Sequence, residues 1–470
     1  MSMRVPSKSN NSAERAIDAY SLLLCLSQLV IFNLSVAVNL DHARRLRQSM
    51  CRERWSVARV RRLVNRSALL GCRAGWRDSV RQSQGACMTS FSTAAQDAKA
   101  GAEQSSTRIA FFIAGFSVAS WAPLVPYVKQ RMGLDEGALG LLLLCLGVGS
   151  ILSMPLAGAL AARFGCRRLL VCSTLLICLC LPLLATISSL PLLIATLFVF
   201  GASMGGVDCT ANVQAVIVER NSGKTMMSGF HGLFSLGGIV GAAGVAGLLS
   251  LGISPFYSML VVVVLTLVAL AKAAPNLLPY GSPSDGPAFA VPRGVVLFIG
   301  LLCFTVFLAE GAMLDWSAVF LTSLRGVEAS YAGLGYAVFA VTMTLGRLFG
   351  DAIVRRVGSN RVIILGGLCA AGGLAVATLI PVWQAALLGY ALVGAGCSNI
   401  VPVCYSAVGR QKTMPQSVAI PAITTVGYAG ILIGPAAIGF IAHVSSLELA
   451  FMIVAVMLLG VAIGGSKLRT

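Results

Sequence analysis

From residue 108 to residue 465, long apolar runs alternate with short polar breaks, and the runs number twelve. They cover 108–128, 137–161, 169–187, 190–217, 226–250 and 254–273 in a first group, then 294–321, 330–354, 361–380, 383–407, 417–442 and 447–465 in a second. A helix rises 1.5 Å per residue, so each run is long enough to cross about 30 Å of hydrocarbon, allowing for tilt. The stretch between the groups, "PNLLPYGSPSDGPAFAVPRG" at 274–293, is rich in Pro, Gly and Ser and cannot continue a helix. The pattern predicts an all-α membrane protein, with twelve transmembrane helices in two six-helix bundles (108–273 and 294–470) joined by a linker at 274–293.

The groups echo each other. "GALAARFGCRR" (158–168) follows the second run and "GDAIVRRVGSNR" (350–361) follows the eighth, placing Arg163 and Arg356 193 residues apart. Arg220 and Arg410 close the fourth and tenth runs 190 apart, and Trp121 and Trp316 lie 195 apart. Three matches near one offset are the mark of a six-span repeat whose halves rock around a shared site. The polar breaks set the orientation. "RFGCRR", "ERNSGK", "RRVGSNR" and "GRQK" fall on one side, whereas the other side holds only Lys129, Arg131 and Arg325, partly balanced by Asp135, Glu136 and Glu328. Loops rich in Lys and Arg stay cytoplasmic, so both ends of the twelve-span unit are expected inside, in a bacterial inner membrane.

Composition agrees: 57% of the 470 residues are hydrophobic and 11% charged, against roughly 25% charged in soluble domains. The net charge of +18 is uneven, because residues 1–87 hold 15 Lys and Arg against 5 Asp and Glu. That Arg-rich extension has no periodicity able to bury a face. It reads as a start site set too early with initiation at Met88, as an extra span at 20–38 followed by a basic region, or as a targeting peptide. Residues 88–107 read as a short cytoplasmic tail. Ten of the 14 cysteines lie scattered from residue 88 onward, mostly in apolar runs and without metal-type spacing, so no metal, cofactor or disulfide framework is expected. "NSGKT" (221–225) resembles the end of a phosphate-binding loop, but Val218 stands where the earlier glycine is required. No nucleic-acid partner is expected.

"GALAARFGCRR" resembles the loop 2–3 motif of the major facilitator superfamily, G-x-x-x-D-[RK]-x-G-R-[RK]-[RK], at Gly158, Arg163, Gly165, Arg167 and Arg168. Ala162 stands where that family usually has Asp, which puts in doubt the gate contact that this Asp makes. "GFHGLFSLGG", "EGAMLDWSA" and "GYAGILIGPAAIGFIA" are similar to a bacterial branch distantly related to fucose permeases. The resemblance covers 108–470 and implies alternating access, with span 4 lining the central cavity.

Ionisable residues inside spans mark function by default. Asp208 and Asn212 share one face of span 4, four residues apart, and His231 at the start of span 5 is expected at similar depth, where a carboxylate and an imidazole can pass a proton. A packed His bonded to the backbone is the plainer alternative. Arg347 and Asp351 are expected to form an i, i+4 ion pair bracing the cytoplasmic gate with Arg356, and Glu219, Arg220 and Arg410 read as gate charges. Glu310 lies at membrane depth and needs a cavity or a partner. Asp315 lies about 140° around the helix from it, near the outer edge. Trp121 and Trp316 are gate aromatics, substrate platforms or interfacial anchors. Asn399 joins the cavity set. The expectation is a monomeric secondary transporter of a small solute, coupled to protons. An exporter of the same fold, an intramembrane enzyme or a non-transporting sensor are the alternatives.

Overall fold

The computed structural model describes residues 75–134, 136–282, 291–328 and 331–468, with side chains described from Gln96 onward. The readings of residues 1–74, including the apolar stretch 20–38, lie outside the described residues. Contacts divide the chain into Met1–Ala98 and Lys99–Thr470. Of the first unit, residues 75–98 are helical.

Among the described residues every regular element is helical. The first bundle contains α1 (Gly75–Ala119), α2 (Val125–Met132), α3 (Glu136–Phe164), α4 (Cys166–Thr186), α5 (Leu190–Ser222), α6 (Met227–Ser250) and α7 (Pro255–Ala273). The second contains α8 (Val295–Arg325), α9 (Leu334–Leu348), α10 (Gly350–Val357), α11 (Ser359–Leu379), α12 (Trp383–Cys397), α13 (Ile400–Arg410), α14 (Gln416–Val444) and α15 (Leu447–Lys467). Eleven apolar stretches are long enough to cross a bilayer, and α9 with α10 makes a twelfth. Residues 88–107, expected as a tail, belong to α1. The Ala, Gln, Lys and Glu in "AAQDAKAGAEQ" favour a helix despite their polarity.

Three spans are broken where a single helix was expected: span 1 after Ala119, where a turn and a short 3-10 segment (Ala122–Leu124) lead into α2, and spans 8 and 10. Span 8 bends by 62° between α9 and α10, at Phe349. Gly350 allows this, because a side chain there would collide with Asn399 and Ser228. Span 10 breaks at Ser398–Asn399, between α12 and α13. Backbone groups freed at membrane depth must find partners inside the protein, and the breaks in spans 8 and 10 supply each other. Pro402 has no N–H for the Ser398 carbonyl, which accepts from Arg347 Nε at 3.3 Å. The Gly346 carbonyl, at the end of α9, accepts from Asn399 Nδ2 at 3.0 Å.

The repeat extends to three dimensions. Gly165 and Gly358, 193 residues apart, adopt φ +87° and +90°, a region that glycine enters without steric cost. Each opens the helix after its basic loop. At the other end of the bundles, Arg131 donates to the Leu184 and Ile187 carbonyls at 2.8 and 3.0 Å, and to that of Ala185. Arg325 donates to the Ala377 and Thr378 carbonyls at 3.0 and 2.8 Å. Both arginines close the unsatisfied C-terminal carbonyls of a neighbouring helix, α4 and α11 respectively. Two of the three basic residues on that side are thus occupied as helix caps. The halves differ where the linker docks: Arg167 N and Cys166 N donate to the Leu278 and Tyr280 carbonyls, whereas nothing packs on Gly358. Gln214 of α5 completes the clasp, accepting from Leu278 N at 3.1 Å and donating to Thr107 of α1 at 2.9 Å.

Candidate functional site

The bundles meet along α3 with α14 and α6 with α9, and α13 reaches both α5 and α6. At that junction Arg347 Nη2 donates to Glu310 Oε1 at 2.8 Å, joining α9 to α8. Their side chains are 6% and 17% exposed. The rest of the guanidinium is occupied too, with Nε on the Ser398 carbonyl and Nη1 on Ser235 Oγ at 2.9 Å. Ser235 belongs to α6, so one arginine carries a charge pair within its own bundle and a hydrogen bond across to the other. A buried charge of this kind is tolerable only when paired and fully bonded. Glu310 therefore has the partner its depth requires.

This pairing corrects the expected Arg347–Asp351 ion pair. The bend at Phe349 breaks the helical register that would have aligned residues four apart. Arg347 faces the junction, while Asp351 accepts from Gly229 N of α6 at 3.1 Å. Asp351 thus reaches across to cap the first turn of a helix in the opposite bundle, where a carboxylate is favoured. Glu219 serves the same helix end from within its own bundle, accepting from Met226 N and Met227 N at 2.8 and 2.9 Å, and it also binds Ser406 Oγ of α13. These contacts close the end of the molecule that carries the basic loops. Gly158 contributes by having no side chain: a methyl there would stand 2.0 Å from Pro421 Cγ of α14. Of the motif's other members, Gly165 is buried under the linker, while Arg163, Arg167, Arg168 and the matching Arg356 are exposed.

Asp315 and Tyr336 are exposed, Glu310 is partly so and Arg347 is buried. Tyr336 lies in the field of Glu310, Arg347 and Asp315 together. Accessibility thus falls from Asp315 inward to the ion pair. Trp316 donates Nε1 to the Pro435 carbonyl at 3.2 Å, a tie between α8 and α14 within one bundle. Trp121 is buried, with an indole N–H that finds no acceptor.

Asp208 and Asn212 do lie together, with Asn212 Nδ2 on the Asp208 carbonyl at 3.0 Å and on Oδ1 at 3.5 Å. His231 does not join them by a hydrogen bond. It packs on Phe111 and Tyr405 with ring centroids 5.2 and 5.6 Å apart, and its Nε2 is buried without a partner. The Tyr405 ring is tilted by 37° against that of His231. Asn399 is occupied as part of the double break, although its Oδ1 has no donor. Ser235, Ser398 and Ser406 were not singled out in the sequence. A serine–asparagine–proline string inside an apolar run was the available sign of the break, and Ser235 sits one helical turn after His231. No group of three or more His, Cys, Asp or Glu able to hold a metal exists among the described residues.

The model of the Major Facilitator Superfamily matches residues 108–419. An uncharacterized MFS-type transporter of Yersinia pestis is 56% identical over 361 residues, covering 77% of this chain and 94% of that protein. Among solved structures, the E. coli fucose:proton symporter FucP superposes with a TM-score of 0.67 at 16% identity, over 78% of this chain and 98% of that one. The proton:xylose symporter XylE gives 0.61 at 13% identity, over 80% and 96%. At such identities the structural likeness is one of fold. The sequence match and the shared twelve-helix architecture together place the chain in the Major Facilitator Superfamily.

Proposed function

We propose that the protein is a proton-coupled secondary transporter that moves a small solute by alternating access between two six-span bundles, 108–273 and 294–470. The reading rests on the Glu310–Arg347 pair, buried at the junction and tied to Ser235 of the opposite bundle. A proton delivered to Glu310 removes the negative charge that holds Arg347. The guanidinium then keeps only neutral partners, Ser235 and the Ser398 carbonyl, and an uncompensated buried charge is unfavourable by several kcal/mol. Loading or losing that proton therefore changes the stability of a contact between the bundles, which is what coupling requires. Fucose and xylose symporters of the same fold are proton-coupled by their names.

The surface closed at the basic-loop end and accessible near Asp315 corresponds to an outward-facing state, with the Lys- and Arg-rich loops cytoplasmic and the protein monomeric in an inner membrane. Coupling is tested in pyranine-loaded proteoliposomes presented with a panel of radiolabelled metabolites, with and without an imposed pH gradient. Uptake driven by the gradient, together with solute-induced proton entry that Glu310→Gln abolishes, is expected. Saturable uptake with no gradient dependence refutes the coupling.

A further inference from the structure

From Ser203 to Val216 every residue of α5 is buried except Asp208, which keeps accessible surface. Asp208 is therefore the one accessible residue of this stretch. The helix that carries it borders α13 and α14 of the second bundle. Asp208 differs from Glu310 in one decisive respect. Glu310 has its cation in Arg347, whereas Asp208 has no Lys, Arg or His bonded to it among the described residues, only Asn212.

Asn212 spends its donor on Asp208 and keeps an acceptor over. Asn212 points its amide nitrogen at Asp208, because the reverse orientation would set oxygen against oxygen. Its Oδ1 is consequently left over, buried and without a donor in a side chain 1% exposed. Tyr405 shares a 2.8 Å hydrogen bond with Thr424 Oγ1. Thr424 donates its own proton to the Ile420 carbonyl at 2.8 Å, so Tyr405 is the donor in that bond and its oxygen keeps free lone pairs. An accessible carboxylate with no cation bonded to it complements a group that is positive and carries N–H bonds. A carboxylate in low dielectric without a counter-charge is strongly disfavoured, and a neutral hydroxyl does not supply one.

We infer that Asp208 anchors the transported solute and that the solute carries a protonated amine. The inference rests on the carrier reading above and names the substrate class of the same cavity, with Glu310 reserved for the proton.

The test is a thermal-shift titration of the purified full chain in nanodiscs at neutral pH. Its probes are pairs in which an amine replaces a hydroxyl: glucosamine and glucose, ethanolamine and ethylene glycol, phenethylamine and 2-phenylethanol. At least one amine is expected to stabilise the protein saturably, with its hydroxyl counterpart at least tenfold weaker. Asp208→Asn is expected to erase that preference and Asp208→Glu to keep it, each judged on protein with a monodisperse elution profile. Equal binding of both members of the pairs, an amine effect that survives in Asp208→Asn, or no amine effect across the panel overturns the inference. Binding here is read at equilibrium without a gradient, so its failure is separate from failure of gradient-driven flux, which bears on proton coupling.

Discussion

The Glu310–Arg347 pair lends itself to a double-mutant cycle. Glu310→Gln keeps the shape and a hydrogen-bond acceptor but removes the charge, and Arg347→Met keeps length and apolar bulk. Two unit charges about 4 Å apart attract by about 4 kcal/mol at an effective dielectric of about 20, and much of that is offset by desolvation. Removing one partner exposes the whole imbalance, because the other charge stays buried, and this costs about 3–5 kcal/mol. Arg347 is the harsher survivor: its side chain is 6% exposed and would face only Ser235 and the Ser398 carbonyl. Each single variant should therefore lose about 3–5 kcal/mol, while the double variant, with both charges gone, should lie much nearer to wild type. Reversible unfolding in mixed micelles with increasing SDS reads all four proteins. A coupling energy of at least about 2 kcal/mol is expected. Losses that add to within about 0.5 kcal/mol would refute the buried, mutually dependent pair and with it the switch built on it.

Other outcomes follow from named contacts. Gly158→Leu places a side chain where a methyl already meets Pro421 at 2.0 Å; transport should fall more than tenfold at normal expression, with Ser417→Cys more reactive toward a thiol reagent added at the basic-loop side. Asp351→Asn weakens a charged cap on Gly229 N by about 1 kcal/mol, and Ser228→Cys should label roughly fivefold faster from the basic-loop side in that background. Arg131→Leu and Arg325→Leu each strip two or more carbonyls of their donor, at about 1–3 kcal/mol; thermal stability should drop while transport at low temperature is retained. Unchanged stability in both arginine variants would remove their capping role.

Much of the architecture was legible along the chain because membrane insertion is a local transaction. A run of about twenty apolar residues crosses the bilayer whatever lies elsewhere in the sequence, so the spans needed no tertiary information. The repeat near 190 residues was likewise visible in loops, and Gly165 with Gly358 carries it into backbone conformation. Asp208 with Asn212 was readable because four residues make one helical turn. Partnership across helices was not readable. Arg347 is four residues from Asp351 and 37 from Glu310, and only the bend at Phe349 made the distant carboxylate the near one. Asp351 then became free to cap α6, 122 residues away. The tertiary structure also gave Asn399 its place in the double break and His231 its aromatic cage. Hydropathy and helical period act over one element at a time. Neutralising a buried charge depends on which elements are brought to the same depth and face, and that is decided when the helices pack.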